Sequence, residues 1–160
     1  GKIEYILDGG RCSVGIESTV VSFLENDVKI LRHGFITRND IEKVIGQIGS
    51  AAFERIISPG QSKHHYAPST PLYLIESYDI YNNIKNKRIG YLDWQKYKTL
   101  KEVALNLFED LRKLDKNKYD FIVSEKVEES GLGVAINDRL EKASRGRMKM
   151  ISNELIIIKK

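Results

Sequence analysis

Residues 58–71, SPGQSKHHYAPSTP, gather all three prolines of the chain and two of its three histidines into one stretch. Pro59, Pro68 and Pro71 each fix φ, lack an amide donor and push the preceding residue towards extended geometry, so no regular helix or strand runs through them. The stretch is therefore a connector, and it divides the chain into two parts with different rhythms. It is also more than a spacer. A passive linker is rich in Gly, Ser or Pro alone, whereas His64, His65 and Tyr66 can donate, accept and stack, and Lys63 adds charge.

After the connector, short apolar runs alternate with helical patterns. Leu72 to Ile75, Arg88 to Leu92, Asp120 to Ser124 and Glu154 to Ile158 have the length and composition of buried parallel strands. Between the second and third, Leu100, Val103, Ala104, Leu107, Phe108, Leu111 and Leu114 fall on one helical stripe. A second helix is expected over 134–145, with Ile136, Leu140 and Ala143 inward. Its Asp138–Lys142 and Glu141–Arg145 pairs stand at supporting i,i+4 spacing. Such alternation predicts an α/β fold, a small doubly wound parallel sheet with right-handed crossovers.

Before the connector the pattern differs. Val14 to Leu24 and Val28 to Leu31 are β-rich and flank Glu25-Asn26-Asp27, which predicts a hairpin. A helix should start at Thr37, with Asp40 in the capping-box position and Ile41, Val44, Ile45 and Ile48 on one face. About fifty residues of this kind bury too little apolar surface for a complete core, so they read as the end of a larger domain. The expected organisation is thus 1–57 as part of an α/β domain, 58–70 as linker and 71–160 as a second domain.

With 160 residues, the chain has room for one domain of ordinary size or a small domain plus part of another. A lone cysteine, Cys12, excludes an intrachain disulfide and fits a reducing compartment. The N-terminal GKIEYILDGG lacks the apolar core of a secretory leader, and the longest apolar runs are strand-length, so a cytoplasmic, membrane-free protein is expected. The net charge of +4 favours anionic partners without identifying nucleic acid.

Three places could carry chemistry. In DGGRCSVGIESTVVSF, residues 8–23, the amides near Gly9 and Gly10 and the hydroxyls of Ser18 and Thr19 could bind a carboxylate or phosphate, or could form a plain turn and an edge strand. Arg32-His33-Gly34 lies between a strand and a helix, where the guanidinium could grip a phosphate; alternatively Arg32 pairs with a carboxylate and Gly34 supplies a positive φ. Ser130-Gly131-Leu132-Gly133 opens a helix like a phosphate-binding turn but lacks the third glycine of the dinucleotide fingerprint, so tight packing explains it better. Adjacent His64 and His65 point to opposite sides of an extended chain and have no carboxylate or thiol at metal-site spacing, so no metal site is expected. Cys12 reads as a half-buried, unreactive thiol, and residues 125–129 as a solvated loop.

Four segments together resemble the L-threonylcarbamoyladenylate synthase family in its two-domain form: DGGRCSVGIESTVVSF, ILRHGFIT, SPGQSKHHYAPSTPL, and the pair LFEDLRKLD and GLGVAINDRLEKAS. Their order and separations match over nearly the whole chain. The resemblance implies the last strands and helix of a YrdC-like catalytic domain, a linker, and a Rossmann-like C-terminal domain. It implies condensation of L-threonine, bicarbonate and ATP, with Mg²⁺, into threonylcarbamoyl-AMP and pyrophosphate. The product feeds downstream transferase machinery that places the t6A modification on transfer RNA, and the synthase itself need not bind nucleic acid stably. By the same resemblance Ser18 would contact L-threonine with help from Thr19, Arg32 would bind ATP phosphate, and Tyr66 would close over the nucleotide, with His64 and His65 as further linker contacts.

Two departures accompany the likeness. The family's basic K-x-R-type motif and Ser-Ala-Asn segment, which build most of the ATP and threonine site, are absent here, and His33 stands where the family often has proline. The chain is therefore expected to be a C-terminal portion, inactive alone. Two readings compete: a regulatory α/β module that complements a separate catalytic chain, and a nucleotide-binding module using Gly131 and Gly133.

Overall fold

The computed structural model describes residues 2–23, 28–49, 66–79, 84, 87–151 and 154–159. His64 and His65, the Glu25-Asn26-Asp27 turn and residues 58–65 of the connector lie outside them. The N-terminal part holds strands β1 (Val20–Ser22) and β2 (Lys29–Arg32), paired antiparallel with an irregularity at Val20/Val21, then helix α1 (Arg38–Ile45). As the sequence predicts, Thr37 caps α1 in a capping box with Asp40. Its apolar face does not close over a core: Val44 and Ile45 are exposed, and only Ile48, beyond the helix, is buried.

The second part is a five-stranded sheet in the order β4-β5-β3-β6-β7, built from β3 (Leu72–Ile75), β4 (Ile89–Leu92), β5 (Phe121–Ser124), β6 (Gly146–Ile151) and β7 (Glu154–Lys159). The first four are mutually parallel. The run Glu154 to Ile158, expected as a parallel strand, instead lies in β7 and pairs antiparallel with β6. The strand in the parallel position is GRMKMI, where buried Gly146 and Met148 alternate with the outward Arg147 and Lys149. Its long charged side chains mask the period-2 signal that a β-branched run would have given.

Helices α2 (Leu100–Asp115) and α3 (Leu132–Ala143) both lie on one face of the sheet. Their buried residues join Leu72, Leu74, Leu92 and Ile122 in one core, together with Ile16 from the N-terminal part. On the other face, Ile75, Phe121 and Val123 pack with Ile84, which belongs to the connection from β3 to β4. Connections therefore cross both faces, as the doubly wound pattern requires. The i,i+4 pair of Asp138 and Lys142 forms at 2.9 Å, but Glu141 pairs with Lys126 and Arg147 rather than Arg145. That pairing could not be read from helical spacing, because both partners come from strand ends.

Glycine 133 shows why the SGLG turn is small. A Cβ there would stand 1.9 Å from the Glu128 carbonyl oxygen. The turn is a packing device at this position, in line with the reading preferred from sequence. Gly133→Ala is expected to lower the unfolding free energy by about 1–3 kcal/mol through forced backbone shifts. Urea denaturation measures it; an unchanged midpoint would show that the Glu128 loop gives way freely.

Candidate functional site

The two motif segments of the N-terminal part meet backbone to backbone. In the β1–β2 register Val20 stands opposite Arg32, and beyond this pair Gly34 lies flat on the Ser18–Thr19 peptide. A Cβ on Gly34 would fall 2.3 Å from the Ser18 carbonyl carbon and 2.5 Å from the Thr19 nitrogen. Gly34 is thus required for close approach, not for a left-handed φ: among the described glycines a positive φ is taken by Gly10, Gly46, Gly131 and Gly146, but not Gly34. The Phe35 N–H donates to the Glu17 carbonyl at 3.1 Å, and the Thr19 hydroxyl donates to the Ile36 carbonyl at 2.6 Å. Ser18 is exposed and Arg32 half-buried beside this seam. Thr19 therefore spends its proton on the fold, whereas Ser18 faces solvent.

The glycine pair at 9–10 does not join them. The Gly10 N–H donates to the Asp8 carboxylate at 2.8 Å, and Gly10 has φ of 80°, so the pair makes a turn whose amide is already occupied. Cys12 is exposed, not half-buried as expected. A hydrogen bond to Glu17 and that carboxylate's charge push its thiol pKa up, which disfavours the nucleophilic thiolate. Its neighbour Arg11 reaches across to Asn106 at 2.6 Å and Glu109 at 3.0 Å on α2.

Tyr66 sits on the other part of the molecule. Its ring lies 5.4 Å from that of Phe108, and the guanidinium of Arg139 stands 5.2 Å from its centroid. Arg139 is only 4% exposed, yet carries three duties. One nitrogen donates to the His33 carbonyl at 2.8 Å, another binds Asp138, and its face covers Tyr66. This residue joins the connector to the Arg32-His33-Gly34 segment and was missed from sequence. The available signal was its place on the inward stripe of α3, three residues after Ile136 and four before Ala143, where a charge needs a buried partner. Below Tyr66, Asp115 at the end of α2 accepts from the N–H groups of Ser69 at 3.1 Å and Thr70 at 2.7 Å. Although burial works against its charge, those bonds hold the Asp115 carboxyl below its ordinary pKa.

A cavity of about 410 Å³ opens next to this junction, between the N-terminal ends of α1 and α3. His33, Gly34, Thr37, Arg38, Ser130 and Gly131 line it. Burial pushes the pKa of His33 down; Arg139, Lys142 and Arg38 push it the same way, and only Asp138 opposes. The imidazole is thus held neutral, able to donate from one nitrogen and accept at the other. Half-buried Arg38 is fixed by Glu42 at 2.8 Å and by the Ile48 carbonyl.

The fold is a mainly parallel α/β domain fastened through a buried arginine to an antiparallel strand pair that carries the Ser18 and Arg32 segments. The chain belongs to the threonylcarbamoyl-AMP synthase family, whose model, described as "Threonylcarbamoyl-AMP synthase, C-terminal domain", matches residues 36–145. It is 36% identical to the threonylcarbamoyl-AMP synthase of Pyrococcus abyssi and 37% identical to that of Bacillus subtilis, in each case over 92% of this chain and 51% of the relative. The chain thus spans about half the length of the curated relatives it matches. Among solved structures, that of P. abyssi Sua5 complexed with L-threonine aligns with a TM-score of 0.77 and 35% identity, covering 89% of this chain and 50% of the other. A variant of the same protein, with a histidine and the tyrosine directly after it replaced by alanine, aligns with a TM-score of 0.73.

Two outcomes follow for stability. His33 binds its proton at a lower pH in the folded than in the unfolded chain, so the unfolded state gains protons first as pH falls below about 6.5. The stability that neutral His33 contributes is therefore complete above that value and is lost as pH falls through the folded pKa. In urea titrations, His33→Gln should reduce the loss seen between about pH 7.5 and about pH 5; an identical loss would place the sensitivity elsewhere. Arg139→Met should cost about 1.5–3 kcal/mol, the range for a hydrogen bond to a charged group, and should quench the protection of Tyr66 from solvent as read by its fluorescence.

Proposed function

We propose that this chain contributes the C-terminal part of a threonylcarbamoyl-AMP synthase: residues 1–57 belong to the YrdC-like catalytic domain, 58–70 are the linker and 71–160 are a Rossmann-like domain. The enzyme condenses L-threonine, bicarbonate and ATP into threonylcarbamoyl-AMP and releases pyrophosphate. Its product supplies the machinery that installs t6A on transfer RNA in the cytoplasm. Among the described residues no helix is long and apolar enough to cross a membrane.

The observation that supports this reading is the seam at Gly34, which joins the Ser18 and Arg32 segments backbone to backbone and is tied through Arg139 to Tyr66. Ser18, exposed next to the seam, is assigned to L-threonine, and Thr19 holds the seam in register. Arg32 is assigned to ATP phosphate, where a planar guanidinium suits a bidentate grip. Tyr66, with His64 and His65 before it, is assigned to the nucleotide. The P. abyssi structure holds L-threonine, as its description states. A His-Tyr pair is altered in the second structure, and this chain has a single such pair, His65-Tyr66. Among the described residues no three His, Cys, Asp or Glu side chains group as a metal site would need. Mg²⁺ is assigned to the phosphates of ATP, whose charge it would offset.

These residues would work by positioning and by excluding water. A mixed anhydride hydrolyses readily, so a connector laid over the reacting groups preserves the product. Charge that builds on the phosphates is met by fixed cations in a partly dry site.

The test joins this chain to the N-terminal half of the B. subtilis relative and follows pyrophosphate release. Release is expected only when ATP, threonine and bicarbonate are all present, and Arg32→Ala should slow it at least tenfold. Unchanged rates in both Arg32→Ala and Ser18→Ala would overturn the site assignment. Release by the 160-residue chain alone would overturn the view that it acts as one part of a larger enzyme.

A further inference from the structure

The connection leaving β3 crosses one face of the sheet, through Ile84, while the connections leaving β4 and β5 carry α2 and α3 on the other. Since β3 and β5 are neighbours, outgoing chains part between them. In open α/β sheets a crevice forms at such a point, outside the carboxyl ends of the strands, and that is where ligands bind. Here the crevice is a cavity of about 350 Å³, lined by Glu76 and Ser77 after β3, Glu125 and Lys126 after β5, and Arg147 of β6. Its size falls in the range of small-molecule sites.

The charges are arranged unevenly. Glu76 is paired with Lys149, and Glu125 is hydrogen-bonded to Tyr91. Lys126 and Arg147, by contrast, converge on one oxygen of Glu141, at 3.0 and 2.8 Å. Two cations therefore converge on a single carboxylate oxygen at the edge of the cavity. Both remain partly exposed and keep donors to offer. Beyond the lining residues Ser77 and Glu125 stands an aromatic pair: Tyr78, next to Ser77, and Tyr91, bonded to Glu125, have ring centroids 4.3 Å apart.

We propose that this crevice binds a mononucleotide, with its phosphate held between Lys126 and Arg147 and its base against Tyr78 and Tyr91. A phosphate has oxygens enough to accept from both cations at once, and a planar base suits an aromatic surface. The site is separate from Arg32 and Ser18 and does not depend on their assignment.

Calorimetric titration of the whole chain with AMP, inorganic phosphate and adenosine tests it. AMP is expected to bind saturably, more tightly than phosphate or adenosine, and more weakly as salt rises. The double variant Lys126→Met/Arg147→Met should weaken AMP binding at least tenfold, whereas Lys43→Met, an exposed lysine of α1, should leave it unchanged. Urea midpoints for both variants confirm that they fold. The proposal is overturned if AMP fails to bind saturably at millimolar concentration. Equal affinity for phosphate and AMP, or AMP binding that survives the double variant, would overturn it too.

Discussion

A buried guanidinium is costly unless its charge and its donors are all met, and the placement of Arg139 meets them from three separate stretches of chain. Asp138 supplies the countercharge, His33 a carbonyl, and Tyr66 the face of its ring. Remove any of these and the charge is left under-compensated in a place water reaches poorly. The hairpin segment, the connector and α3 are therefore held in one relative arrangement by an energetic constraint that none of them could satisfy alone.

Around that constraint the molecule is assembled by close backbone approaches. Gly34 lets the β2 end rest on the Ser18–Thr19 peptide, and a Cβ on Gly15 would stand only 2.1 Å from the Ala104 carbonyl oxygen of α2. Between these contacts Ile16 enters the core shared by α2, α3 and the sheet. The N-terminal part thus lends a side chain to the second part's interior while presenting Ser18 and Arg32 next to the junction. Core packing and the seam with Gly34 use the same short stretch, Gly15 to Thr19.

Much of this was legible in the sequence, and the exceptions share a cause. The α2 stripe and the Thr37 capping box are local signals, and both helices form where they predict. The α/β alternation likewise gives the parallel strands β3, β4 and β5. What escaped depends on contacts between distant residues. Glycine at 34 suggested a special φ, because sequence shows that a side chain is missing but not what occupies its space. Arg139 looked like one more charged helix residue until a carbonyl 106 positions away supplied its partner. Strand β6 was hidden by arginine and lysine, whose stems can line a sheet while their charges stay in water. The exposed face of α1 runs the other way: a clear apolar period with no core over Val44 and Ile45 among the described residues.

Asp115 gives the connector a fixed end. Its carboxylate holds the amides of Ser69 and Thr70, so the chain is pinned three residues beyond Tyr66. Three residues, even drawn straight, reach about 10–11 Å. Any displacement of Tyr66 is therefore the swing of a short arm about an anchored pivot, and its ring can sweep only a small sphere centred on the end of α2. Such an arm sets a reach as well as a direction: nothing outside that radius can meet the Tyr66 ring.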